Sequence, residues 1–210
     1  MNAISPRIVL AFVSTLIFSA ASLGAEAAKL YAPCLACHGS KGEGKPVLDA
    51  PAIAGQDSAY LGRQLRNFRS GLRGTHKSDL TGAQMRALAA TLTDDATVAA
   101  LSTYISMLPK TLAAFPAGGD LHKGNNLYQG KCGACHGTAA EGNPALNAPR
   151  LAGLDTAYLK RQFAHFRDGV RGTDARDLPG RQMALMARTV PAERDLDDII
   201  AFIHQQGRGK

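Results

Sequence analysis

Residues 34–38 have the sequence Cys-Leu-Ala-Cys-His, and residues 132–136 have the sequence Cys-Gly-Ala-Cys-His. Together these stretches hold all four cysteines of the 210-residue chain. The shared pattern, C-x-x-C-H, is the signature of c-type haem attachment. At this spacing two thiols can add to the two vinyl groups of one haem, and the adjacent histidine then faces the iron. The sequence therefore predicts two covalently bound haem c groups, held by Cys34, Cys37, His38, Cys132, Cys135 and His136.

Three other interpretations of the cysteine pattern find less support. A zinc site usually has four protein ligands, whereas each half of this chain offers two thiols and one nearby histidine. A thioredoxin-like redox pair is expected near a βαβ pattern, which the sequence lacks. Structural disulfides suit an exported protein, but they do not explain why a histidine follows each second cysteine.

The two motifs belong to a duplicated unit. When the sequence is shifted by 98 residues, the segment from Cys34 to Met85 aligns without a gap with the segment from Cys132 to Met183, and 30 of 52 positions are identical. Such self-similarity indicates a repeated structural unit. Residues 116–119, with the sequence Pro-Ala-Gly-Gly, have the composition of a linker. We predict a first domain over residues 28–115, a linker at 116–118 and a second domain over 119–210.

Each half has the pattern of several amphipathic helices, and no alternating pattern typical of a β-strand is present. Asp57-Ser58 and Asp155-Thr156 are typical of helix N-caps. The residues after them place apolar side chains on one helical face: Tyr60, Leu61, Leu65 and Phe68 in the first half, and Tyr158, Leu159, Phe163 and Phe166 in the second. Each half ends on another apolar helical stripe. We predict an all-α fold of two tandem domains, each wrapped around one haem.

The composition favours a bound apolar group. Tryptophan is absent and aromatic residues make up 6% of the chain, so domains of about 90 residues are marginal on apolar burial alone. The formal net charge is +7, but the basic residues are mixed with acidic ones and lack the interleaved aromatic residues of nucleic-acid-binding proteins. We therefore expect a solvated surface of mixed charge and no nucleic-acid partner.

The N-terminal segment has the pattern of an export signal. Arg7 precedes an uncharged apolar run at residues 8–20, and Ala25-Glu26-Ala27 offers an A-x-A cleavage site. The run is shorter than the about 20 apolar residues that a membrane-spanning helix needs. We predict a signal peptide over residues 1–27, a location in the periplasm and at most peripheral membrane association. An uncleaved membrane anchor is the alternative.

Two methionines are the candidates for the second axial ligand. Met85 and Met183 each lie 47 residues after their motif histidine, and each follows a glutamine. A methionine in a helix usually belongs to a core, but the matched spacing favours coordination. With both axial positions filled, no site is open for oxygen, peroxide or a substrate, and a neutral thioether raises the reduction potential. The predicted metal ligands are His38, Met85, His136 and Met183, with no catalytic residue.

The other residues of these types are expected to be structural. Met107 and Met186 are interpreted as core packing. Four histidines have no histidine counterpart in the other half and are expected at the surface: His76, His122, His165 and His204. Four arginines shared by both halves are interpreted as solvated helix ends, with anchoring of a haem carboxylate as the alternative: Arg69, Arg73, Arg167 and Arg171.

On these residues the chain resembles the dihaem cytochrome c4 family of the bacterial periplasm, across essentially its whole length after the leader. The resemblance rests on the two C-x-x-C-H sites, on the Pro-x-[Ile/Leu]-Ala-Gly segments at 51–55 and 149–153, on the repeated Ala-Tyr-Leu-x-Arg-Gln helices and on the segments around Met85 and Met183. One departure from the family is the short lead-in before Cys34.

The resemblance implies two cytochrome c folds packed together, with haem propionates near the domain interface. It implies that the carbonyls of Pro51 and Pro149 accept hydrogen bonds from the imidazoles of His38 and His136. It also implies single-electron transfer from a quinol-oxidising complex towards a terminal oxidase. Two alternatives stay open: the dihaem cytochrome subunit of an enzyme complex, such as a flavoprotein sulfide dehydrogenase, and a dihaem enzyme such as a peroxidase.

Overall fold

The structure is a computed structural model that describes residues 25–110, 118–190 and 192–208. Its helices in the first half are α1 (residues 25–31), α2 (Leu35–His38), α3 (Ser58–Arg69), α4 (Leu80–Ala89) and α5 (Asp95–Met107). Those in the second half are α6 (Leu121–Tyr128), α7 (Ala134–His136), α8 (Thr156–Arg167), α9 (Leu178–Ala187) and α10 (Glu193–Arg208). Short 3-10 turns lie at Ala32–Cys34, Pro46–Leu48 and Pro144–Leu146, and a π-helical turn lies at Gln129–Gly133.

The predicted all-α fold is confirmed. Within the three described ranges there is no β-strand, and the extended pairing consists of two isolated bridges, Lys45 with Ala50 and Asn143 with Ala148. No helix in these ranges combines the length and the apolar character that crossing a bilayer requires. Most of the predicted signal peptide and the predicted linker except Gly118 lie outside the described residues.

Aspartate side chains begin the longest helix of the repeated segment in both halves. Asp57 Oδ1 accepts a hydrogen bond from the Tyr60 amide at 2.7 Å, and Asp155 Oδ1 accepts one from the Tyr158 amide at 2.8 Å. The N-caps predicted for α3 and α8 are therefore present. Each cap satisfies an amide that the start of a helix leaves unpaired.

Two further aspartates begin the helices that carry the candidate methionine ligands. Asp79 accepts from the Gly82 amide at the start of α4, and Asp177 accepts from the Gly180 amide at the start of α9. Both aspartates are buried. Because each cap fixes the first turn of its helix, Met85 and Met183 occupy the same position in α4 and α9, six residues after the capping aspartate.

Each domain has its own small apolar core beside its haem-attachment motif. In the first domain α3 packs on α5, and the buried core residues are Tyr31, Leu61, Leu101 and Ile105. In the second domain α6 packs on α10 around a larger core of Tyr128, Ala140, Ala152, Val190, Leu196, Ile199, Ile200, Phe202 and Ile203. The apolar stripes of the final helices are therefore buried, as their spacing predicts.

The prediction of core packing is wrong for Met107 and Met186. Met107 is 72% exposed and Met186 is 39% exposed. Met107 is the last residue of α5, where the helix leaves the core. Met186 lies on α9 and lines a cavity beside the second motif instead of packing within a core.

Several polar side chains are buried where the sequence predicts exposure. His204 is 5% exposed, and the side chain of His165 is 12% exposed, so the surface assignment holds only for His76 and His122. Arg73 and Arg171 are buried between the two domains, so the prediction of solvated helix ends is wrong for them. Periodicity within one half cannot show which surface the other half covers.

Contacts between the domains occur in pairs related by the 98-residue shift. Arg63 on α3 donates to the side-chain and main-chain oxygens of Asn147, at 2.8 and 2.7 Å. Arg161 on α8 donates to the corresponding oxygens of Asp49, at 2.6 and 2.7 Å. Reciprocal contacts of this kind are typical of an isologous interface, so the two domains pack as the subunits of a symmetric dimer would.

Replacing Asp155 by alanine should lower the free energy of unfolding by about 1 kcal/mol, because the Tyr158 amide at the start of α8 loses its acceptor. Asp155→Asn keeps an acceptor oxygen at the cap and should retain most of this stability. Denaturant titration of the purified holoprotein measures both effects. A wild-type midpoint in the Asp155→Ala variant would show that the cap contributes nothing.

Candidate functional site

Both motif histidines are held in one orientation by a main-chain carbonyl. The Nδ1 atoms of His38 and His136 each lie 2.9 Å from a carbonyl oxygen, that of Pro51 and that of Pro149 respectively. Since a carbonyl can only accept, Nδ1 carries the proton, and the lone pair of Nε2 is left to bind a metal. The hydrogen bonds that the family resemblance implies are thus present in both domains.

The surroundings keep both imidazoles neutral. His38 and His136 are each 5% exposed. Burial lowers the pKa of both side chains, and the hydrogen bond to the proline carbonyl opposes this shift only in part. A histidine must be neutral to ligate a metal, so burial prepares both rings for coordination.

A tyrosine closes the loop that follows each motif. The hydroxyl of Tyr31 donates to the carbonyl of Gly39 at 2.7 Å, and that of Tyr128 donates to Gly137 at 2.8 Å. Each glycine directly follows a motif histidine and has a φ of 79° or 80°, a region that favours glycine. This role of the tyrosines was not predicted from the sequence; the available signal was a tyrosine three residues before the first motif and four residues before the second.

The first cysteine of each motif lies in an apolar environment. Burial raises the pKa of Cys34 and of Cys132 to about 11, and both side chains pack against the core of their own domain. None of the four thiols is in a disulfide. Neutral thiols beside apolar side chains suit attachment to the vinyl groups of an apolar ring.

In the second domain the motif faces a largely apolar cavity of about 410 Å³. Cofactor sites are usually about 300–1,000 Å³ in size. The cavity wall includes Cys132, Cys135, His136 and the predicted ligand Met183. Apolar side chains of α8 and α10 complete it, among them Phe163, Phe166, Leu196, Ile199 and Ile203. The structure therefore brings the four predicted haem contacts of this domain to one cavity.

Met85 lies at the matching position of the corresponding helix in the first domain. It is half-buried and lies six residues after the capping Asp79 on α4, as Met183 lies six residues after Asp177 on α9. The helix and its cap thus repeat between the domains. Iron ligation by Met85 and Met183 stays a prediction.

A polar cluster lies between the domains and consists of Arg73, Arg171, Gln64 and Gln162, which we call the arginine–glutamine cluster. Arg73 donates to the Oε1 atoms of Gln64 and Gln162 at 2.8 and 2.9 Å. Arg171 donates to the same two oxygens at 2.7 and 2.8 Å. Each guanidinium also lies 4.4 Å from the centre of a phenylalanine ring of its own domain.

The arginine–glutamine cluster carries two buried positive charges that form no ion pair with a carboxylate of the described residues, although nearby Asp79 helps to raise the pKa of Arg73. Among the described residues, the arginine ion pairs do not include Arg73 or Arg171. The Nε atoms of both lack a hydrogen-bond partner there, and burial together with repulsion from Arg73 lowers the pKa of Arg171. An unpaired buried charge is costly, so the cluster fits an anion. Arg171 also lines the cavity of the second domain, which favours the role of anchoring a haem carboxylate.

The glutamines of this cluster were not identified from the sequence. Gln64 and Gln162 both end the repeated Ala-Tyr-Leu-x-Arg-Gln segment, and both are buried. An amide retained in both halves on the buried side of an amphipathic helix was the available signal. It indicates a polar partner and does not reveal that the partner lies in the other domain.

His165 of the second domain lies close to Asp79, which caps the helix that carries Met85. Its Nδ1 atom lies 3.9 Å from Asp79 Oδ1 and has no hydrogen-bond partner in the described part of the chain. Burial lowers the pKa of His165; Asp79 opposes this shift, and three nearby arginines add to it. The imidazole is therefore neutral near pH 7.

The sequence matches the family model described as Cytochrome c twice, over residues 24–109 and 121–207. A thiosulfate dehydrogenase electron acceptor of Thiomonas intermedia (strain K12) is 34% identical over 177 residues, which cover 80% of this chain and 77% of the relative. Cytochrome c4 of Azotobacter vinelandii is 32% identical over 162 residues, which cover 73% of this chain and 76% of the relative.

The architecture is also similar to a solved structure. The crystal structure of reduced recombinant cytochrome c4 from Pseudomonas stutzeri has a TM-score of 0.67 with this chain at 24% identity. The match covers 86% of this chain and 97% of that chain. The two-domain arrangement of this fold is therefore shared.

Lowering the pH from about 7.5 to about 5.5 should destabilise the protein in part through His165. Its pKa in the folded state is below the unfolded value of about 6.5, so the unfolded chain binds more protons and stability falls with pH from that value downward. His165→Asn, which installs the residue found at position 67 of the first domain, should flatten this dependence. Denaturant midpoints at both pH values measure it, and equal losses in the two proteins would refute it.

Proposed function

Because the chain belongs to the cytochrome c family and pairs two such domains as cytochrome c4 does, we propose that it carries single electrons between respiratory partners in the periplasm. As a cytochrome c4-like protein it holds two covalently bound haem c groups and is an electron carrier, not an enzyme. When bound, each haem supplies an iron that changes between the ferric and ferrous states by one electron.

We assign the iron ligands as His38 with Met85 and His136 with Met183. The observation that carries this assignment is the pair of buried imidazoles whose Nδ1 protons are bound to proline carbonyls. In the second domain the methionine lines the same cavity as the motif. The chain thus keeps each imidazole neutral and oriented, and the thioethers of Met85 and Met183 would serve as the second iron ligands and exclude other ligands.

The arginine–glutamine cluster is proposed to bind the haem carboxylates. Arg73 and Arg171 come from different domains, yet they share the same two glutamine oxygens. Carboxylates of either haem would supply the negative charge that the two guanidinium groups lack. With one cluster serving both domains, the carboxylate-bearing edges of the two haems would meet at the interface and provide a route for electrons between them.

The location and partners rest on the sequence. The predicted signal peptide at residues 1–27 supports export to the periplasm, and the cytochrome c4 resemblance supports a quinol-oxidising complex as donor and a terminal oxidase as acceptor. The short apolar run at residues 8–20 supports at most peripheral contact with a membrane.

A second candidate function is favoured by the relative from Thiomonas intermedia, whose name describes an electron acceptor of thiosulfate dehydrogenase. In this alternative the protein takes electrons from an enzyme that oxidises a sulfur compound, either as a diffusing acceptor or as the dihaem subunit of a complex such as a flavoprotein sulfide dehydrogenase. The site chemistry is the same, and the partner differs. A stoichiometric complex that survives mild purification would favour the subunit.

Optical spectra of the purified holoprotein test the proposed ligation. We expect two low-spin haems per chain, a methionine–iron charge-transfer band in the oxidised form, and no carbon monoxide binding in the reduced form. A high-spin haem, or carbon monoxide binding by the wild type, would contradict a methionine assignment and would return a peroxidase-like enzyme to consideration.

Met183→Ala should open one of the two haems to carbon monoxide, with about one molecule bound per chain, and lower the potential of that haem, because a neutral thioether favours ferrous iron. Met186→Ala is the matched control, since Met186 lies on the same helix and lines the same cavity. In the first domain, Met85→Ala should open the other haem in the same way, and Met107→Ala is a control at an exposed methionine of the neighbouring helix. Carbon monoxide binding by a control variant and not by its partner would reassign the ligand.

Arg171→Met should lower the reduction potentials by on the order of 50 mV, because removal of a buried positive charge disfavours ferrous iron by about 1 kcal/mol at an effective dielectric constant of about 20. Arg167→Met, which removes an exposed charge from the same domain, should cause a much smaller shift. Spectroelectrochemical titration measures both. Equal shifts would show that the cluster has no special relation to the haems.

A further inference from the structure

The side chain of Gln56, in the first domain, binds the main chain of Arg150 in the second. Gln56 Nε2 donates to the Arg150 carbonyl at 2.9 Å, and the Arg150 amide donates to Gln56 Oε1 at 2.9 Å. Gln56 is 5% exposed and Arg150 is 8% exposed. The amide group of the Gln56 side chain thus pairs with both main-chain polar groups of Arg150 across the domain interface.

The peptide bond that Gln56 contacts is the one that holds the second motif histidine. The Arg150 amide nitrogen and the Pro149 carbonyl belong to the same peptide group, and that carbonyl accepts the hydrogen bond of His136 Nδ1 at 2.9 Å. A continuous chain of hydrogen bonds therefore runs from Gln56 through one peptide unit to the imidazole of His136.

Such a chain strengthens its members. A peptide N–H that donates a hydrogen bond polarises its own carbonyl and makes it a better acceptor. A stronger acceptor at Nδ1–H increases the basicity of the imidazole towards a metal at Nε2. A more basic ligand favours ferric over ferrous iron and so lowers the reduction potential.

We propose that Gln56 is a positioning residue for His136, through which the first domain strengthens an axial ligand of the second and lowers the potential of the second haem. The proposal rests on the function proposed above, in which His136 ligates iron. The coupling of Gln56 to His136 across the interface does not follow from the ligand assignment alone.

The first domain lacks the corresponding link. Leu154 stands at the position that matches Gln56, and Ala52 stands at the position that matches Arg150. A leucine cannot accept a hydrogen bond, and within the described ranges no acceptor is found for the Ala52 amide. The Pro51 carbonyl therefore receives no such support, and the two haems differ in their histidine environment although the ligands repeat.

The side chain of Arg150 secures the link. Its Nη2 donates to the carbonyl of Ala54 in the first domain at 2.9 Å, and its Nη1 donates to the carbonyl of Ala152 in its own domain at 2.6 Å. The segment that carries Gln56 is thus bound both through its side chain and through its main chain. This double attachment keeps the amide of Gln56 against the peptide group in a buried site.

The test is Gln56→Leu in the holoprotein, which gives the first domain the residue that the second domain has at this position. The potential of the second haem should rise, so that its ferrous-to-ferric ratio at a fixed ambient potential increases about threefold. A threefold change in this ratio corresponds to a shift of about 28 mV in the potential, because a tenfold change corresponds to 59 mV for one electron. The first haem should change little. Spectroelectrochemistry gives both potentials, and NMR of the methionine methyl groups in the reduced protein identifies each haem.

Two further measurements separate this effect from a loosened interface. Asn147→Gly removes the side-chain acceptor of Arg63 across the same interface without a change of charge, and it keeps a backbone that has a φ of 56°. Asn147 also lines the cavity of the second domain, but its hydrogen bonds are with Arg63 and the Pro144 carbonyl, so Asn147→Gly should shift the potential of the second haem much less than Gln56→Leu does. In the reduced Gln56→Leu protein, the NMR signal of His136 Nδ1–H should move upfield as its hydrogen bond weakens, whereas that of His38 should not.

Equal shifts of both haems, equal shifts in the Asn147→Gly protein, or an unchanged His136 Nδ1–H signal would overturn the role of Gln56. Failure of the underlying ligation is recognised separately, in the wild type, by the absence of two low-spin spectra. A protein with normal spectra and no selective shift in the Gln56→Leu variant would refute the coupling and leave the electron carrier intact.

Discussion

The hydrogen bond from each motif histidine to a proline carbonyl constrains the rest of each domain. Its two partners are 13 residues apart in the chain, so the intervening loop must fold back over a buried ring. A tyrosine hydroxyl and a glycine with positive φ hold that loop where it leaves the motif. Because Nδ1 donates a hydrogen bond to the carbonyl, the lone pair of the other ring nitrogen is left to bind a metal. The orientation of each candidate ligand is therefore set by the closure of a backbone loop.

Much of the fold could be predicted from the repeat. The caps at Asp57 and Asp155, the buried stripes of the final helices and the placement of Met85 and Met183 on matching helices all follow from local patterns that each half contains in full. The errors at Arg73, Arg171 and His165 concern residues whose neighbours lie in the other domain. Arg73 has the pattern of a solvated helix end because its partner Gln162 lies in the other domain, and no periodicity within one half contains that information.

The contacts at the interface repeat in both directions. Arg63 with Asn147 and Arg161 with Asp49 are the same contact made twice, and the arginine–glutamine cluster maps onto itself when the domains are exchanged. In the buried cluster, the Oε1 atom of each glutamine accepts hydrogen bonds from the arginines of both domains. Loss of either glutamine would leave buried donors of both arginines without that acceptor, and an unsatisfied buried polar group costs about 1–3 kcal/mol. The cluster therefore links the packing of one domain to that of the other.

One departure from the repeat lies at the interface between the domains. Gln56 and Arg150 break the symmetry at the peptide group that supports His136, whereas the corresponding Leu154 and Ala52 are apolar. Two haems with identical ligands and identical surroundings would have equal potentials, and an electron would have no preferred direction between them. A buried, asymmetric link at one histidine makes the sites unequal without altering either ligand set. In a duplicated carrier, a single cross-domain hydrogen-bond chain can therefore separate the two potentials while the symmetric cluster keeps the domains together.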